Sequence, residues 1–332
     1  MAYRGELVGE HESIIETRRL IKRVAESKAS TVLIYGETGT GKGLVARMLH
    51  DQSARSGKEF IGVNCAAIPE NLMESELFGF EKGAFTGALN HKSGLVESAD
   101  GGTIFFDEIR ELAPALQAKL LSFLDTQEFR RLGAVKTKKV DARFIAATNK
   151  ILSGEVQNGK FRDDLYYRLQ VVAINIPPLR ERGDDVLLLC EYFIRKFNAR
   201  HDRDIRGIEP AVEDVFRAFN WPGNVRELEN LLERIFILET DNQVLIRHIP
   251  QRIMREVEYG ISDNFPNIEQ DVEKLPSNSN NHETGFYEST AFFQRQLIDK
   301  ALQRNNGNIS AASKELKISR HALRHQINKL EI

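Results

Sequence analysis

The chain has 332 residues, 41% of them hydrophobic and 28% charged, with a formal net charge of −2. Such a length and composition suit two or three soluble globular domains and exclude disordered or fibrous chain. The near-neutral balance excludes a surface that is basic all over, so any nucleic-acid contact must come from a local patch.

No apolar run approaches the ~18 residues that a membrane span needs. The first twelve residues carry Glu6, Glu10 and Glu12 without an apolar stretch, so they do not read as an export signal. A cytoplasmic protein without membrane insertion is expected. Cys65 and Cys190 lie in apolar segments without C-x-x-C spacing and read as buried, reduced thiols.

From about Glu12 to Phe144, segments of helical period alternate with short apolar runs at residues 31–35, 60–63, 103–106 and 144–147. Buried strands alternating with helices predict a doubly wound parallel sheet, hence an α/β fold. After Pro177 and Pro178 the strand signals stop, and helical patterns at residues 186–199 and 225–238 predict a small helical domain. Residues 255–290 carry eight acids against two bases, Pro266, Pro276 and a Ser/Asn tract at 277–281. So polar and acidic a segment reads as a flexible linker. Beyond it, residues 291–332 hold eight Lys/Arg against three acids, net +5. The expected division is 1–176, 177–254, 255–290 and 291–332.

Gly36, Glu37, Thr38, Gly39, Thr40, Gly41 and Lys42 fit G-x-x-x-x-G-K between an apolar strand and a helical run. Glycines there let backbone N–H groups wrap phosphates at a helix N-terminus, with Lys42 neutralising the outer oxygens of ATP. Gly43 stands where the general pattern has a Ser or Thr hydroxyl on Mg²⁺. The run at residues 101–108 ends an apolar strand in Asp107, a candidate Mg²⁺ ligand, and Glu108, a candidate for polarising the attacking water. Asn64 and Asn149 close two other strands and are candidates for holding Glu108 and sensing the γ-phosphate, although spacing by itself favours a turn-forming Asn for either one. Arg162 and Arg168 lie six residues apart. Supplied in trans they would make activity depend on oligomerisation.

In the C-terminal segment, two short helices joined at Lys317 and Ile318, the second capped by Ser319, read as a helix-turn-helix. With the apolar positions packed inward, Arg320, His321, Arg324, His325 and Lys329 are left for bases and phosphates of duplex DNA.

The phosphate loop, residues 101–109, Thr148-Asn149 and Trp221-Pro222-Gly223-Asn224-Val225-Arg226-Glu227-Leu228 together resemble the AAA+ domain of sigma-54-dependent transcription activators, the bacterial enhancer-binding proteins. The most specific element is Gly83-Ala84-Phe85-Thr86-Gly87-Ala88, preceded by Glu74-Ser75-Glu76-Leu77-Phe78-Gly79. The resemblance implies an AAA+ P-loop ATPase with a helical lid, in which the loop from Gly83 to Ala88 contacts sigma-54 through Phe85 and Thr86. It further implies Asp107 on metal, Glu108 on water, Asn64 as the switch of Glu108, Arg162 and Arg168 as trans arginines, and Arg226 as a lid sensor. Relatives commonly have Glu at Gly43 and His at Phe80. The C-terminal segment resembles the Fis-type helix-turn-helix of the same proteins.

The expected function is an ATP-dependent activator, a ring and by expectation a hexamer, that binds upstream enhancer DNA and remodels sigma-54 RNA polymerase. The alternative is a DNA-bound regulator that holds nucleotide only as a ligand. The resemblance starts within about ten residues of Met1, so control by a separate, trans-acting regulatory protein is expected, as in activators of the phage-shock-operon type.

Overall fold

A computed structural model of the chain describes residues 6–259 together with residues 298, 302, 305 and 308. The six Arg, His, Ser and Lys positions expected to read DNA (Ser319, Arg320, His321, Arg324, His325 and Lys329) lie outside the described residues. Residues 6–259 belong to one compact unit.

In chain order its elements are α1 (Glu12–Glu26), β1 (Thr31–Tyr35), α2 (Lys42–Asp51), β2 (Phe60–Asn64), α3 (Glu70–Phe78), β3 (Gly79–Phe80), β4 (Lys92–Ser93) and α4 (Leu95–Ser98). There follow β5 (Thr103–Asp107), α5 (Pro114–Thr126), β6 (Glu128–Phe129), β7 (Lys138–Lys139), β8 (Arg143–Thr148), α6 (Leu152–Gln157), α7 (Asp163–Leu169) and β9 (Ala173–Asn175). The helices α8 (Asp185–His201), α9 (Pro210–Ala218), α10 (Asn224–Leu238) and α11 (Gln251–Tyr259) complete it.

Five strands form a parallel sheet in the order β2-β5-β8-β1-β9. Their apolar residues divide by the two-residue period of a strand. Leu33, Phe106, Phe144 and Ala146 face one core with α3, α5 and α7, whereas Val32, Ile34, Phe105, Ile145 and Ala147 face the other with α1 and α2. Burial on both faces is why these strands read as continuous apolar runs rather than as alternating ones. The four predicted strands are all present, three of them longer by one or two residues. The fifth, β9, has only three residues, one of them buried, too short a run to stand out.

Register places the chemistry. Tyr35 pairs with Thr148 and Asn64 with Asp107, so the ends of β1, β8, β2 and β5 lie along one edge of the sheet. The crevice outside the carboxyl ends of parallel strands is where such sheets hold ligands.

The helical part packs Phe193, Phe197, Phe216, Trp221 and Leu232 into a core of its own. Trp221 is fully buried, donates from Nε1 to Phe216 O at 2.8 Å, and meets the rings of Phe216 and Phe219 edge-on. The helix α11 runs to Tyr259, so the first five residues of the expected linker are helical. Their reason is the apolar stripe of Ile253 and Val257, one turn apart, which packs on that core despite the acids around it.

Candidate functional site

The phosphate loop leaves β1 and enters α2 as its motif predicts. Gly39 and Gly41 sit at φ of 84° and 104°, backbone that side chains rarely adopt. A Cβ on Gly39 would stand 2.1 Å from Gly223 O, so glycine is also required there by close approach. Thr40 O, Gly39 O and Thr38 O are each taken by a donor from the helical part: Arg182 Nη2 at 3.3 Å, Arg226 N at 3.3 Å and Asn224 Nδ2 at 3.0 Å. In a trans peptide the following N–H points the other way. Among the described residues the N–H groups of Gly39 and Gly41 accordingly carry no protein partner, and they form a donor surface fit for an anion.

Lys42 is 7% exposed, and its ammonium donates to Gly36 O at 3.0 Å and Glu37 O at 3.3 Å while lying 3.5 Å from Glu108 Oε1. Burial holds the Asp107 carboxyl above its ordinary range, Lys42 opposes that, and the neighbouring Glu108 adds to it. Glu108 adopts a left-handed backbone at φ 51°, and its buried Oε2 accepts no hydrogen bond from the described residues, with Arg110 Nε 3.7 Å away. The carboxylate thus lines the cavity between Lys42 and Arg110, within reach of a group bound there. Cys65 lies next to these acids, its thiol pushed up to about 12 by burial, and Cys190 is buried likewise.

Asn64 stands beside Asp107 on the adjacent strand, but its Oδ1 accepts from Ala66 N at 3.1 Å, closing a turn. No hydrogen bond joins it to Glu108. Asn149 reaches the phosphate loop, donating from Nδ2 to Thr38 Oγ1 at 3.2 Å, and its buried Oδ1 is without a partner. Arg226, at the start of α10, lines the same cavity as Lys42, Asp107 and Glu108. Arg162 and Arg168 do not line it. Arg162 is exposed and bidentate on Asp164, while Arg168 donates to Leu124 O and pairs with Asp125.

The cavity measures about 430 Å³ and continues from the loop to an apolar end formed by Leu7, Val8, Leu189, Tyr192 and Phe193. Gly43 lies on its wall with nothing nearer than Phe105 Cε1 at 4.0 Å from where a Cβ would be. Sequence reasoning missed Arg182, which is 1% exposed and donates to Pro177 O, with burial lowering its pKa to about 10. It also missed Arg180 and Asn224. Among so many arginines nothing in the sequence separates these from solvated ones, although Trp221-Pro222-Gly223-Asn224 marks the turn that delivers Asn224.

On another part of the surface, β3 and β4 carry the hexapeptide between them. Gly83 N donates to Ala88 O at 2.8 Å, and Ala88 N to Phe85 O at 3.0 Å, which makes a compact loop hinged on Gly83 and Gly87, both at positive φ. Phe85 is 46% exposed and meets Phe80 edge-on with centroids 5.0 Å apart. The aromatic is thus presented rather than tucked into the core. Phe80 supplies the ring that supports it.

A parallel sheet with an N–H-lined glycine loop, a strand-end acid pair and a helical cover defines a P-loop NTPase fold with a lid. Residues 7–175 match the sigma-54 interaction domain, residues 180–261 the AAA+ ATPase lid domain, and residues 289–330 the bacterial regulatory protein family of the Fis type. The chain belongs to the sigma-54-dependent activator family. It is 41% identical to the nitrogen fixation protein AnfA of Azotobacter vinelandii over 317 residues, which are 96% of this chain and 56% of AnfA. It is 40% identical to the regulatory protein AtoC of Escherichia coli over 333 residues, 99% of this chain and 68% of AtoC. The crystal structure of NtrX from Brucella abortus in complex with ATP is similar at a TM-score of 0.75 and 33% identity, covering 99% of this chain and 70% of NtrX. The chain therefore spans little more than half to about two thirds of these relatives.

Proposed function

We propose that this chain is an ATP-hydrolysing activator of transcription by sigma-54 RNA polymerase. The observation that carries the reading is one compact unit that holds both a phosphate-type cradle, with Lys42, Asp107 and Glu108, and an exposed aromatic loop from Gly83 to Ala88. Hydrolysis at the first gives the second something to do.

In this reading the N–H groups of Gly39 and Gly41 and the Lys42 ammonium hold the β- and γ-phosphates, and the apolar end of the cavity takes the base. Asp107 is the oxygen donor fit for Mg²⁺, since Gly43 offers no hydroxyl and phosphate and water oxygens would complete the shell of a hard cation. Bound there, the ion would neutralise charge developing on the phosphates. Glu108 accepts the proton of the attacking water at its free Oε2. Asn64, one strand away, donates from its amide Nδ2 to Glu108 to hold it, and Asn149 and Arg226 respond to the outer phosphate. Arg162, exposed at the cap of α7, and the half-buried Arg168 within it, both away from the lining of the chain's own cavity, serve the site of a neighbouring copy in a hexameric ring. The loop from Gly83 to Ala88, with Phe85 and Thr86 foremost, engages sigma-54, and residues 291–332 hold enhancer DNA. A separate regulatory protein acting on the ATPase would set the activity.

Open-complex formation on a sigma-54 promoter with purified polymerase tests the proposal. Promoter opening that requires hydrolysable ATP is expected, with Thr86→Ala retaining turnover and losing opening. Turnover without opening at any protein concentration would overturn it and favour a DNA-bound regulator of another kind.

A further inference from the structure

The pattern G-x-x-x-x-G-K leaves position 37 open, and phosphate chemistry argues against an acid there. A carboxylate in a loop that must receive a polyphosphate repels its ligand unless the charge is neutralised. This chain nevertheless has Glu37. Its carboxylate is gripped by Arg180 in a fork, Nη1 to Oε2 at 2.8 Å and Nη2 to Oε1 at 2.5 Å. A third donor, Asn224 Nδ2, reaches Oε2 at 3.2 Å.

Arg180 and Asn224 come from beyond the sheet: Arg180 from the 3-10 turn at Leu179–Glu181, Asn224 from the start of α10. Asn224 is fully buried at φ 51°, and its Oδ1 accepts from Leu179 N at 2.8 Å, so the two donors are tied to each other. The same Asn224 Nδ2 also donates to Thr38 O at 3.0 Å. The peptide that presents the Gly39 N–H is thus oriented by the group that holds Glu37. Glu37 and Arg180 are both more than a third exposed on their side chains, so as a fold-stabilising ion pair they contribute little. Their place on the phosphate loop is what gives the fork an effect.

We propose that Glu37 is a positioning residue, a handle on the phosphate loop by which Arg180 and Asn224 of the lid hold the loop in its anion-binding shape, with Arg180 cancelling the charge that would otherwise repel the nucleotide. The proposal rests on the ATPase reading above, yet predicts a pattern of its own. Removing Arg180 leaves the Glu37 carboxylate on the phosphate loop without its neutralising charge, whereas removing both charges does not. The second substitution therefore rescues the first.

The experiment is a double-mutant cycle on the full chain with Arg180→Met, Glu37→Gln and the pair, reading affinity for fluorescent ADP together with KM and kcat for ATP. Arg180→Met is expected to weaken ADP binding and raise KM by about tenfold, and Glu37→Gln by about threefold, with kcat moved less. Glu37→Gln in the Arg180→Met background should recover most of the loss. Equal melting temperatures of parent and variants separate this from a folding defect. Additive losses, or variants indistinguishable from the parent, would overturn the handle. A parent that binds ADP without turnover would sink the ATPase reading, and the ADP-binding cycle would still decide the role of Glu37.

Discussion

Lys42 has almost no exposure and spends its three donors on the walls of the phosphate loop and the approach to Glu108. Lys42→Ala should lower ATP affinity by roughly ten- to a hundredfold, the worth of a lost charge-assisted contact in a desolvated site, read by equilibrium binding. Glu108→Gln keeps the shape and removes the proposed base. Nucleotide binding should persist while kcat falls by about 10²- to 10⁴-fold. Asp107 supplies a pH test. Its folded-state pKa is raised by burial, so protonation favours the folded protein, and its unfavourable ionisation in the nucleotide-free state grows as pH rises through that pKa. Asp107→Asn should melt higher than the parent at pH 7 without nucleotide, and the gap should close as pH falls below the ordinary carboxylate range. A gap independent of pH would contradict it.

At the scale of elements, the turn Trp221–Asn224 joins lid to loop. Trp221→Ala empties a fully enclosed site between Phe216 and Phe219 and should cost about 3–5 kcal/mol in denaturant unfolding. Gly39→Ala is a different lesion, since its Cβ meets Gly223 O and its φ is left-handed. Here the lid should be pushed off the loop, with nucleotide affinity lost out of proportion to any fall in stability. Periodicity foretold β1, β2, β5 and β8 because strands buried on both faces are written as unbroken apolar runs. It passed over β9, whose three residues bury only Ile174 and owe their strand to pairing with β1. It also passed over the helical state of residues 255–259, whose acids read as linker although the helix is held to the core by Ile253 and Val257.

For the whole molecule, Arg162 at the cap of α7 and Arg168 within it stand away from the chain's own cavity, and a site completed by a second copy follows from the proposed ring. Specific ATPase activity should then climb with protein concentration. Mixing Lys42→Ala with Arg168→Ala, each inactive alone, should restore part of the turnover, because some interfaces pair an intact loop with an intact arginine. Activity independent of concentration, or no recovery on mixing, would refute it.

Local motifs alone determined the phosphate loop, its acids and the exposed hexapeptide: glycine positions, a strand-to-acid run and a contiguous peptide are written in neighbouring residues. Which distant groups meet them was decided by tertiary structure. The fork of Arg180 on Glu37 joins residues 143 positions apart, Arg182 looks in sequence like any solvated arginine, and Asn64 accepts from Ala66 N in a turn without bonding its expected partner Glu108. The difference is physical: backbone conformation and short-range capping are local in the chain, whereas burial, neutralisation of charge and closure of the loop by the lid exist only after packing brings remote segments together.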